Sequence, residues 1–213
     1  MKLNAKYVTF SAISLASLYV LYHNERFLID GSHPAWQHYA PFKWWLLPHG
    51  IFGAIVLLFA PLQFSERLRQ RFTRAHRVIG RFYVAGVVVG APLGIYIQYL
   101  QERMGDPRSF TIAGAADAAV WIVTTAIAMS FILKGKVQQH RIWMTRSFAC
   151  SLIFLEVRVI VGLFHLPPQD IETVVWVCVV AAVPIADIAL QIQESLRTRS
   201  AMAKAVRPLA QTV

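Results

Sequence analysis

Two kinds of side chain are scarce in this chain: cysteine, with two in 213 residues, and acid, with eleven Asp and Glu against twenty-one Lys and Arg. The thiols, Cys150 and Cys178, fall inside apolar stretches and form no CxxC pair, so a disulfide framework and c-type haem attachment are excluded. HExxH, a Cys/His ladder, a GxSxG elbow and a phosphate-cradling glycine loop are all missing, which leaves zinc, hydrolase and kinase chemistries without their residues. Charged residues make up only 15% of the sequence and hydrophobic ones 56%. Little remains to clothe a soluble domain.

What is present is a set of six apolar runs, at about 7–22, 45–64, 82–100, 112–133, 148–165 and 171–191, most of them near the ~20 residues that cross a hydrocarbon core. The expected fold is all-α: a single integral membrane domain over residues 1–213, polytopic, with six transmembrane helices and a tail over 192–213. Helices two to five are expected to form a four-helix core bundle, flanked by one and six. Lys2 and Lys6 ahead of the first run resemble the start of a secretory signal. No small-x-small cleavage site precedes the bulky Tyr19 to Tyr22, so an uncleaved first helix is expected.

Charge sets the orientation. Sixteen of the twenty-one bases, among them Lys2, Lys6, Lys204 and Arg207, belong to the tails and to the connections after segments two, four and six, opposed there only by Glu66 and Glu194. The other face has four bases (Arg26, Lys43, Arg103, Arg108) against six acids (Glu25, Asp30, Glu102, Asp106, Asp170, Glu172). Basic loops resist translocation, which puts both termini in the cytoplasm. The net charge of +10 then lies where anionic lipid headgroups meet it, making the bilayer rather than nucleic acid the expected partner.

The longest connection, 23–44, is rich in proline, histidine and tryptophan (Pro34, His38, Trp36, Trp44), the composition of a cap at headgroup level. Short turns are expected at Gly105-Asp106-Pro107 and Pro167-Pro168. Gly86, Gly90 and Gly94 form a bare stripe along segment three that lets a neighbouring helix approach. A faint repeat relates segments two and three to four and five, because each pair is joined by a basic string with a His-Arg dipeptide.

Those strings carry a family resemblance. His49-Gly50, Pro61-Leu62-Gln63-Phe64, His76-Arg77-x-x-Gly80-Arg81-x-Tyr83 and His140-Arg141-x-Trp143-Met144-x-Arg146-Ser147 resemble the pattern of a family of bacterial predicted membrane proteins, domain of unknown function 2306, over about 45–165. The resemblance implies a multi-helix fold in a bacterial cytoplasmic membrane and no established activity.

Chemistry has to come from ionisable side chains placed in hydrocarbon. Asp117 and Arg158 lie at matching depths in segments four and five, and they read either as an ion pair or as the wall of a polar site. Ser151, Arg158 and His165 recur every seven residues and are expected to face the bundle, while Glu156 turns toward segment six or a dimer partner. His49 and His165, near the outer ends of segments two and five, are candidate axial ligands of one b-type haem, with His76 and His140 the matching inner pair. Arg77 and Arg141 would pair with haem propionates if a haem sat low. The alternative for Arg77, Arg81, Arg141 and Arg146 is contact with lipid or other phosphate.

These features lead first to a small b-type-cytochrome-like electron-transfer protein. Two readings stand beside it: a transporter or ion carrier working through Asp117, Arg158 and His165, and an assembly or accessory protein of a larger membrane complex. Whether the chain is an enzyme stays open.

Overall fold

The computed structural model describes residues 5–206, so Lys2 and Arg207 of the orientation argument lie outside the described residues. The chain runs through α1 (Ala5–Asn24), helical turns that include α2 (Trp36–Tyr39), α3 (Lys43–Gln63), α4 (Glu66–Arg71), α5 (Thr73–Arg103), α6 (Arg108–Leu133), α7 (Val137–Phe164) and α8 (Pro168–Val206). No strand occurs among the described residues. Helix is the form that satisfies every backbone N–H and C=O within the segment, as a lipid surrounding demands. The breaks fall where the sequence supplies breakers. Gly105 and Gly135 take φ of +115° and +70°, and Pro107 and Lys136 precede the first residues of α6 and α7.

Among the described residues five helical spans are long and apolar enough to cross a membrane: Trp36–Gln63, Thr73–Arg103, Arg108–Leu133, Val137–Phe164 and Pro168–Arg199. The protein is therefore a multi-pass membrane protein. The sixth expected span, α1, is a helix of 20 residues and is not among these five. The helices also outrun their apolar runs. Both His-Arg strings, expected in loops, are helical: His76 to Arg81 lies in the opening turns of α5 and His140 to Arg146 in those of α7. α8 is 39 residues long, about 58 Å at 1.5 Å per residue, against a hydrocarbon core of about 30 Å.

Neighbours in sequence pack as neighbours in space. α5 lies against α3 and α6, α7 against α6 and α8, and α1 touches α3 and α7. The glycine stripe does what its spacing predicts. A Cβ on Gly86 would stand 2.6 Å from Val56 Cγ2, and one on Gly94 would stand 3.0 Å from the His49 ring, so α5 meets α3 through its missing side chains. Val56, Ala60, Tyr83, Val87 and Phe148 form the buried centre, and Ile153, Cys178 and Ala182 join α7 to α8. Large apolar residues such as Ile51, Val88, Val123, Val180 and Ile188 are exposed, as a lipid-facing surface requires.

The bundle has two distinct ends. The cap end carries residues 25–42 and the turns at 104–107 and 165–167; the basic end carries α4, the turn at 134–136 and the last turns of α8.

Candidate functional site

A cavity of about 450 Å³ opens at the cap end between α3, α5, α6, α7 and α8, roofed by the segment after α1. The roof is built from local physics. Asp30 Oδ1 accepts from the backbone N–H of Ser32 at 3.0 Å and from its hydroxyl at 2.6 Å, and Trp36 Nε1 donates to the Asp30 carbonyl at 3.1 Å. Those two bonds from Ser32 hold the Asp30 carboxyl below its ordinary value. Phe27 packs on Trp36 and Tyr39 with ring centroids 5.3 and 4.8 Å apart, and Phe27 and Phe42 are buried. The cap expected from composition is present.

Below the roof, Arg158 of α7 reaches Glu25 Oε1 at 3.7 Å. The Glu25 side chain is only 13% exposed, and burial pushes its carboxyl up to about 7 against the opposing pull of Arg158. This corrects the expected Asp117 to Arg158 ion pair. The two residues do share the cavity wall, but the guanidinium is taken by a carboxylate from the roof. Asp117 Oδ1 is left buried with no hydrogen-bond partner, and the group acting on its charge is Glu156, a second carboxyl. Glu156 also acts on Cys178, which places it toward α8 as expected.

His49 stands on the same wall, with Nδ1 2.9 Å from the Gly90 carbonyl. That bond makes Nδ1 the protonated nitrogen of the neutral ring and leaves Nε2 as an acceptor. His165 does not join it. It closes α7 in the left-handed region (φ 49°), is exposed, and is absent from the cavity wall. The Leu166 N–H bonds the Val161 carbonyl at 3.2 Å around it, so His165 acts as a helix stop rather than as a partner for His49. Among the described residues no group of three or more His, Cys, Asp and Glu is placed to hold a metal ion.

On the side of the cavity facing the basic end lies a polar ring invisible to the sequence reading. Trp121 Nε1 donates to the Tyr83 hydroxyl at 3.1 Å, Tyr83 meets the Ser147 hydroxyl at 2.8 Å, Ser147 meets that of Thr125 at 2.7 Å, and Thr125 donates to the Trp121 carbonyl at 2.7 Å. With Thr125 committed to that carbonyl, each hydroxyl accepts once and donates once, so no buried polar group of the ring is stranded. Beside it, Phe64 stacks on Phe10 at 5.1 Å and meets Phe148 at a tilt at 5.3 Å, tying α1 to α7. Tyr83 and Ser147 are the closing residues of the two His-Arg strings. The signal was in those strings, hidden behind their more conspicuous histidines.

At the basic end His140 is brought near enough to act on His76. His140 Nδ1 is 2.9 Å from the Ala128 carbonyl, while His76 Nδ1 is buried and has no hydrogen-bond partner. Arg77 acts on His76, Arg81 is exposed, and Arg141 reaches Glu66 at 4.0 Å. Arg146 departs from the expected lipid contact. Its Nε bonds Asp187 Oδ1 at 2.8 Å and its guanidinium sits 4.4 Å over the Trp143 ring, because Asp187 of α8 faces it across the helix pair.

A family described as "Predicted membrane protein (DUF2306)" matches residues 46–190, and the chain belongs to that family. No curated protein matches the chain, and no solved structure does.

Proposed function

We propose that this member of the DUF2306 family crosses the membrane six times, with α3, α5, α6 and α7 as its core bundle and the basic end in the cytoplasm. We further propose that its cap-end cavity binds a small lipophilic cation as a step in carrying it through the bilayer. The observation behind this reading is the Asp117 carboxyl, buried at the cavity wall with one oxygen unpartnered. An ionisable group in hydrocarbon is costly unless something compensates it. Here the arginine of the wall is engaged by Glu25, and the neighbour of Asp117 is another carboxyl.

A cation with an apolar body answers both needs. Its charge meets Asp117, and its body lies against Leu57, Ile97, Ile153 and Val157. The volume of about 450 Å³ falls within the range of ordinary small-molecule sites. A bis-imidazole haem site is favoured less, since the histidine expected opposite His49 is an exposed helix stop.

The test uses the purified protein in proteoliposomes with tetraphenylphosphonium as the probe. Binding and uptake should be saturable, and Asp117→Asn should abolish both while the protein still inserts and folds. Binding without uptake would remove carriage and keep the site. Indifference of binding to Asp117→Asn would sink the site itself.

A further inference from the structure

The basic end holds a second cluster that the cavity does not use. α4, α5, α7 and α8 converge there. Arg69, one turn along α4 from Glu66, acts on both His76 of α5 and Arg141 of α7, and Arg141 is also acted on by Arg197 of α8. Arg77 and His140 act on His76 from the other side. The carboxylate that reaches this group is Glu66, which is 51% exposed and no closer than 4.0 Å to Arg141. The Ala128 carbonyl fixes one face of the His140 ring, and His76 Nδ1 remains buried without a partner. α5 and α7 also begin here, and the first N–H groups of a helix have no partner within it.

Cations gathered from four elements repel one another, and a fold that keeps them together gains most when an anion sits among them. Guanidinium forks match the oxygens of phosphate, and imidazole N–H adds a donor. We infer that the basic end is a binding site for a phosphate group, held by Arg69, Arg141 and His76, with Arg77, His140 and Arg197 supplying field. This replaces the looser expectation that Arg77, Arg81, Arg141 and Arg146 all touch phosphate. Arg146 is committed to Asp187, and the site gathers around Arg69 and His76 instead.

A lipid headgroup and free phosphate present the same oxygens, and the experiment separates them. The full-length protein is purified in a maltoside micelle, which carries no phosphate, and its unfolding temperature is followed while inorganic phosphate or phosphatidylglycerol is titrated in, with diacylglycerol as the phosphate-free lipid control. The expected result is a saturable rise that diacylglycerol does not produce. Arg141→Gln should weaken the apparent affinity by about tenfold, the loss of one charge-assisted hydrogen bond. Arg81→Gln removes the same charge from outside the cluster and should leave the affinity unchanged. Should Arg141→Gln fail to fold, Arg69→Gln on the short α4 makes the same test. Saturation by inorganic phosphate identifies a soluble ligand, and saturation by phosphatidylglycerol alone identifies a headgroup. No saturable rise with either, or equal losses for Arg141→Gln and Arg81→Gln, overturns the site.

Discussion

At the cap end three carboxyls, Glu25, Asp117 and Glu156, meet one arginine, whereas at the basic end four arginines and two histidines meet one carboxylate. Each end gathers charge of one sign beyond what its neighbours neutralise, and a ring of hydrogen bonds with an aromatic stack stands between them. The contrast shows why net charge is a poor guide to ligands here. The +10 of the whole chain points to anions, while the buried unpartnered oxygen of Asp117 belongs to a carboxyl that asks for a cation.

The sharpest way to break the contrast is pH. Glu25 has its carboxyl pushed up from 4.5 to about 7, so the folded state holds the proton more tightly than the unfolded chain. Its contribution is fully present below pH 4.5 and is lost as pH rises through 7, a decline of up to about 3 kcal/mol for a shift of this size. Urea unfolding from pH 4 to 8 should show that decline in the wild type and a flatter profile in Glu25→Gln. An unchanged profile would mean that Glu25 is solvated.

The partition between the ends comes next. Tyr83→Phe strands the Trp121 N–H and breaks the ring at Ser147, for a loss of about 2 kcal/mol in the same assay. Phosphate affinity at the basic end should not move if the two ends are separate.

A smaller effect distinguishes the partner of Arg158. Arg158→Leu should cost about 1 to 2 kcal/mol, because the guanidinium is 42% exposed and its pairing with Glu25 is partly screened. Adding Glu25→Gln should recover most of that loss, and adding Asp117→Asn should not. The reverse pattern would restore the Asp117 pairing. Smallest of all, His165→Gly should leave ligand binding untouched and raise stability by up to about 1 kcal/mol, since glycine takes the left-handed conformation without steric strain.

The all-helical character, the turns at Gly105 and Pro167 and the packing role of Gly86 and Gly94 were all legible in the sequence, because local periodicity and backbone sterics decide them. Helix lengths were not. Apolar runs mark the hydrocarbon stretch, while backbone hydrogen bonding carries a helix on through the interface. Depth was also legible, since Asp117 and Arg158 do share one cavity wall, but the guanidinium's partner depends on a loop whose path no periodicity encodes. The stripe from Ser151 to His165 failed at its far end for a geometric reason. A straight helix drifts by about 20° per heptad, and α7 ends at Phe164 before His165 can take a helical position.

The closed ring of Trp121, Tyr83, Ser147 and Thr125 has a consequence for timing. On the proposed carrier reading, a solute passing from the cap-end cavity toward the other face would have to part α5, α6 and α7 at this level, and doing so would break three hydrogen bonds between them. At about 1 kcal/mol net apiece these bonds would make opening a rare excursion, so the step limiting turnover would be the parting of the helices rather than capture of the solute.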